Sequence, residues 1–181
     1  MKSSKIFTGA MVLGTVFLMS FGRAAAREIP FRGIGSGSFI GVDIDTNGDG
    51  DKGGLTTGVV KSNLGQFALS FLSETVLVPR TTCPVGTLEF SLVVQRIVLR
   101  DQRGDLLYGE GTSWTQCFDP VARTLSATGT LSFIGGTGRY VGASGEIEGS
   151  LSADVLLLDP TTGQAYGAGT SEFEGTLNLV K

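Results

Sequence analysis

The chain has 181 residues, 41% hydrophobic and 17% charged, enough apolar content for the core of one domain and too much for a disordered chain. It has no histidine, which excludes Ser-His and Cys-His catalysis, histidine bases and ordinary zinc enzymes. A net charge of −3 leaves no basic surplus for a phosphate backbone and argues against nucleic acid as a partner. Glycine is the outlier at 28 residues, about twice its usual share, without the Gly-X-Y period of collagen.

Lys2 and Lys5 precede an uncharged apolar run from Ile6 to Phe21, and Ala24-Ala25-Ala26 follows with small residues at the cleavage positions. This pattern predicts a secretory signal peptide over residues 1–26. The apolar run is shorter than the roughly 20 residues that a membrane span needs. The mature chain, 27–181, is expected to be one domain, secreted or periplasmic, with no membrane span left after cleavage. Losing Lys2, Lys5 and Arg23 takes the net charge from −3 to −6.

From there on, alternation with a period of two replaces any helical pattern. The first strand is expected near 31–42, with Gly33, Gly35, Gly37 and Gly41 on one face. An acidic turn follows, with Asp43, Asp45, Asn47, Asp49 and Asp51 at every second position. Asp45-x-Asn47-x-Asp49-Gly50 copies the first half of a calcium loop. Thr56 stands where an EF-hand carries its bidentate glutamate, and no flanking helices are expected. The turn therefore reads either as a half-built calcium loop between two strands or as an acidic turn without an ion. Calcium is the one cofactor that the sequence brings into question; no organic cofactor is indicated.

Further strands are expected near 55–62, 65–78, 86–99, 105–118, 124–134, 143–158 and 164–179, cut by turns rich in Gly, Pro, Asn and Asp. Phe67, Leu69 and Phe71 share a face with Ser73, and Leu125, Ala127, Gly129, Leu131 and Phe133 share another. Eight long antiparallel strands joined by short turns predict an all-β, up-and-down barrel, because closure removes the exposed edges. A two-sheet sandwich is the alternative. In an exported chain, Cys83 and Cys117 are expected to form one disulfide.

The most distinctive stretch is Gly135-Gly136-Thr137-Gly138-Arg139-Tyr140-Val141-Gly142-Ala143-Ser144-Gly145. It lacks the Lys-Ser/Thr and the βαβ setting of a phosphate loop. It resembles the strand-joining segment of the allene oxide cyclase/dirigent barrel superfamily. Gly135, Gly136, Thr137 and Gly138 match the turn of that segment, Tyr140 the aromatic, and Gly142 and Gly145 the later glycines. The resemblance implies an eight-stranded barrel with a mostly apolar lumen, often assembled as a trimer; a homo-oligomer, trimer or dimer, is accordingly expected as a partner. It also implies control of a reactive substrate by confinement. It carries over no catalytic residue.

The remaining acid/base candidates are Glu89, Glu110, Glu146, Glu172 and Glu174, each within a predicted strand. One of them facing an apolar lumen could act as acid or base; facing solvent, they are ordinary surface charges. Trp114 and Tyr108, in one strand, are expected to pack the barrel. Three functions stay open: a secreted barrel binding a small apolar ligand in its lumen, a cyclase or dirigent-like enzyme, and a module acting through its outer surface.

Overall fold

The structure, a computed structural model, describes residues 26–42, 52–159, 161–162 and 164–180. All but the last residue of the expected leader, and the whole acidic turn of Asp43, Asp45, Asn47, Asp49 and Asp51, lie outside the described residues.

Eight strands follow one another: β1 (Arg27–Val42), β2 (Lys52–Ser62), β3 (Gly65–Val78), β4 (Leu88–Asp101), β5 (Leu106–Asp119), β6 (Thr124–Gly136), β7 (Gly145–Leu158) and β8 (Ala165–Leu179). Each pairs antiparallel with the next, and β1 pairs with β8 from Arg27↔Leu179 to Ile40↔Tyr166, closing a barrel in sequence order. The sandwich alternative is thereby excluded. The ends of elements differ from the expected ones. β1 begins at Arg27 rather than 31, because Arg27, Glu28 and Pro30 hide the alternation that starts at Phe31.

Period-two alternation sends one side chain of each pair inward. At one end of the barrel these inward residues meet in a packed core that includes Phe31, Val60, Phe67, Ile97, Leu99, Leu107, Leu131, Phe133 and Leu177. Phe31 stacks edge-on to Phe133, with ring centroids 5.5 Å apart. Burying each such side chain contributes about 1.5–3 kcal/mol.

The connection between β6 and β7 covers this end. Its single 3-10 turn, Gly138–Tyr140, puts Tyr140 into the core, with its ring 6.1 Å from that of Phe67. Thr137 ties the connection to β5: its N–H donates to Leu106 O at 2.8 Å, and its hydroxyl accepts Leu106 N–H at 2.9 Å. Arg139 pairs with Asp101 at 2.9 Å, lies 4.8 Å over the Tyr140 ring and donates its N–H to Asp105 at 3.3 Å. Burial pushes the Asp101 carboxyl up, but the N–H groups of Arg103 and Asp105 and the Arg139 guanidinium outweigh it and hold it below the usual range. Burial raises the Tyr140 hydroxyl.

Candidate ligand-binding site

The opposite end of the barrel is not filled. A cavity of about 300 Å³ opens there, walled by Phe39, Phe71, Phe90, Trp114, Phe118, Leu125, Leu151, Val155 and Leu158. Thr56, Ser73, Thr75, Gln116 and Gln164 add hydroxyls and amides to an otherwise apolar wall. No charged residue is among the described residues that line it. This composition, mostly apolar with a few polar groups, is that of a small-molecule pocket, and its size is at the lower end of that class.

Trp114 reaches this wall because of a bulge. In the β5–β6 ladder the register shifts between Gly111 and Ser113, so Thr112 is an extra residue. Leu107, Gly109 and Gly111 are inward before it, and Trp114 after it. The indole then lies against glycines of β6 and β7: a Cβ on Gly129 would come 2.6 Å from its Cε3, and one on Gly149 3.1 Å from its Cζ3. Its ring centroid is 6.1 Å from that of Phe71 across the lumen. Tyr108 lies before the bulge and beside the inward Leu107, so it points outward. Both aromatics were expected to pack the barrel; Trp114 does so from inside, and Tyr108 stands half-buried on the outer face.

None of the five candidate glutamates lines the cavity. Glu146, Glu172 and Glu174 are exposed on the outer wall. Glu174 pairs there with Arg32 at 2.8 Å, and Glu148 stands directly opposite it on β7. Arg32, Glu148, Glu172 and Glu174 border a second, shallow groove across the outer faces of β1, β2, β6, β7 and β8. Its walls are charged, and solvent screens them. Glu110 pairs with Arg96 at 3.1 Å, also outside.

Glu89 is buried but belongs to the rim. Its carboxylate accepts the backbone N–H groups of Thr81, Thr82 and Cys83 at 2.7, 2.8 and 2.9 Å. Those bonds hold its pKa down to about 2. Cys83 is disulfide-bonded to Cys117 with Cα atoms 5.6 Å apart, so the β3–β4 loop is fastened at the mouth to the end of β5. Such a bond belongs to oxidising compartments.

Gln95 is a buried polar residue that no sequence pattern marks. It is fully buried, stands on β4 directly opposite the cavity residue Ser73 without lining the cavity itself, and neither its Oε1 nor its Nε2 has a hydrogen-bond partner among the described residues. An amide left unpaired in this way costs on the order of 1–3 kcal/mol. A glutamine inside a strand carries no signal of this. Its burial follows from phase alone, two residues before the inward Ile97.

Of the motif glycines, Gly135, Gly138, Gly142 and Gly145 have positive φ, whereas Gly136 does not. With Thr137 and Tyr140 they form the closed end, away from the cavity. Among the described residues no three acidic or sulfur side chains gather as metal ligands.

No family model matches the chain, and no curated protein matches it. Among solved structures, the pterocarpan synthase dirigent protein matches over 97% of this chain and 100% of its own, at 12% identity and a TM-score of 0.37. A likeness this loose carries no argument about function, and the barrel rests on the strand pairing itself.

Proposed function

We propose that the protein is an exported barrel that binds one small, uncharged, largely apolar molecule in its half-open lumen. The observation that carries this reading is the cavity of about 300 Å³, walled by aromatic and aliphatic side chains with no charged residue among the described ones. One end of the barrel is packed solid and latched by the Arg139–Asp101 pair, so a guest has a floor to rest on. The other end is held open by a rim loop fixed through Glu89 and the disulfide.

Confinement in such a lumen needs no acid or base. The cyclase or dirigent-like alternative is therefore the same site acting on a reactive guest. It is favoured if a coupling that is racemic in solution becomes enantioselective when the protein is added. A homo-oligomer, the trimer implied by the family resemblance or a dimer, belongs to the proposal as well, and its sedimentation in solution is read by analytical ultracentrifugation.

Trp114 is the single tryptophan of the chain and part of the wall, so its fluorescence reports on the lumen directly. Mass spectrometry of small molecules retained by the purified protein should find an uncharged apolar compound. Leu151→Trp, which fills the cavity, should release it and abolish the calorimetric binding of added ligand, the readout being calorimetry because the variant carries a second tryptophan. Equal retention by that variant would place the ligand outside the lumen and sink the reading.

A further inference from the structure

The walls of the lumen differ from side to side. In a barrel closed in chain order, β2 and β3 stand across the lumen from β6 and β7. The cavity residues of β6 and β7 are Leu125, Leu151, Val155 and Leu158, all aliphatic. Those of β2 and β3 include Thr56, Ser73 and Thr75. Phe90, Trp114 and Phe118 of β4 and β5 flank one side, and Phe39 of β1 the other. Hydroxyls thus gather on one face and methyl groups on the face opposite, with rings between them. The two amides, Gln116 and Gln164, stand outside the hydroxyl face.

The hydroxyl face is open to the cavity. Thr56, Ser73 and Thr75 line it and are half-buried rather than closed off, and among the described residues none of their hydroxyls has a hydrogen-bond partner. Ser73 and Thr75 are two residues apart on β3, which sets their side chains about 7 Å apart on the same face. Thr56 stands opposite Phe71 and diagonal to Ser73, about 7–8 Å from it. Gly54, directly opposite Ser73, leaves the wall bare: a Cβ there would meet only Ser73 Oγ at 3.7 Å and Ile40 O at 3.8 Å. A flat molecule therefore has room to lie against this face without displacing a side chain.

We propose that the lumen selects a one-sided amphiphile: a small, uncharged ring system with two oxygen-bearing groups along one edge and hydrocarbon along the other. A Ser or Thr hydroxyl both donates and accepts, so each group on the guest is a hydroxyl, a carbonyl or an ether. The oxygen edge lies on Ser73 and Thr75, with Thr56 beside them, and the hydrocarbon edge on Leu151 and Val155. A guest turned over would press its oxygens onto methyl groups with no partner, which is costly. The two faces therefore fix the orientation of the guest as well as its class. A sugar, polar on every edge, meets the same penalty on β6 and β7. A bare hydrocarbon leaves the hydroxyls of β2 and β3 stripped of water. This inference rests on the lumen-binding reading and adds to it which edges the guest must present.

Two isomers of equal bulk and equal polarity separate the sided lumen from a merely apolar one. In 2,7-dihydroxynaphthalene both hydroxyls are on one long edge, and in 2,6-dihydroxynaphthalene they are on opposite edges. Binding is read by calorimetry on the purified protein and on its Ser73→Ala, Thr75→Val and Leu151→Trp variants. The 2,7 isomer is expected to bind at least about tenfold more tightly than the 2,6 isomer, the factor that one buried hydroxyl left unpaired commands. Ser73→Ala and Thr75→Val should each bring the two isomers level, and either suffices if the other misfolds. Leu151→Trp should bind neither. Equal binding of the isomers by the wild type, abolished in Leu151→Trp, overturns the hydroxyl face and leaves the lumen-binding reading standing. Binding that Leu151→Trp leaves intact, or no binding of either isomer, overturns both.

Discussion

The carboxylate of Glu89 accepts the backbone N–H of Cys83 at 2.9 Å, and Glu89 itself stands directly opposite Cys117, the disulfide partner of Cys83. One side chain and one covalent bond therefore fix the same loop against the same two strands. The carboxylate takes three N–H groups that a loop would otherwise direct to water, together with the Thr81 hydroxyl. Bonds of this kind to a charged acceptor are stronger than neutral ones.

That arrangement makes stability depend on pH with a defined sign. The pKa of Glu89 falls from 4.5 to about 2 on folding. The stabilisation is complete above the unfolded value of 4.5 and is lost as pH falls from there toward 2. Glu89→Gln keeps an acceptor but not the charge, so at neutral pH it should melt several degrees below wild type. The two melting curves should converge as pH approaches 2. Asp101 and Asp159 are also held low, so the variant retains part of the acid sensitivity. A constant gap between wild type and variant from pH 7 to pH 2 would remove the charge from the account.

The strands and their closure were legible in the sequence because seven turns rich in Gly, Pro, Asn and Asp separate runs with a clean period of two. Inward Phe67, Leu69, Leu131 and Ile147 were on the expected faces. What could not be read was any change of phase within a strand. The extra residue Thr112 reverses the facing of β5, so Tyr108 and Trp114, both at even positions, end on opposite sides of the wall. Period-two counting has no term for such an insertion. Gln95 was hidden for a different reason. Polar residues at strand positions are read as facing out, and only the closed register places this one inside. The disulfide was legible from the expected leader and the cysteine count rather than from any local pattern.

The closing connection between β6 and β7 depends on two glycines for different reasons. Gly138 has φ +53° and its missing side chain leaves the space taken by the Asp105 carboxylate. Gly142 has φ +71°, and a Cβ there would lie 3.2 Å from Val180 Cγ2. Strain at a positive φ costs about 1–3 kcal/mol for a residue with a side chain, and more for a β-branched one. Gly138→Val also drives Asp105 away from the N–H of Arg139. It should therefore lower the melting temperature more than Gly142→Val, and both by more than about 2 °C, since 1 kcal/mol moves a domain of this size by roughly 2–4 °C. Thermal melts of the two variants within 2 °C of wild type would contradict the role given to these positions.

The acidic turn is tested by calcium itself. The β1–β2 ladder runs to Val42↔Gly53, so the described strands on either side of the acidic segment are paired. Asp43, Asp45, Asp49 and Asp51 bring four formal negative charges into that short span, with Asn47 between them. Like charges so close repel one another, and a divalent cation converts the repulsion into attraction. An ion that binds only the folded chain stabilises it by RT ln(1 + [Ca²⁺]/Kd), about 1.4 kcal/mol at ten times Kd. Millimolar calcium should thus raise the melting temperature by a few degrees. Magnesium should do less, because its rigid octahedron suits an adaptable loop poorly. The Asp45→Ala, Asp49→Ala double variant should lose the response to calcium and, relieved of repulsion, melt no lower than wild type in chelator. Identical melting of the wild type in chelator and in millimolar calcium would leave an acidic turn without an ion.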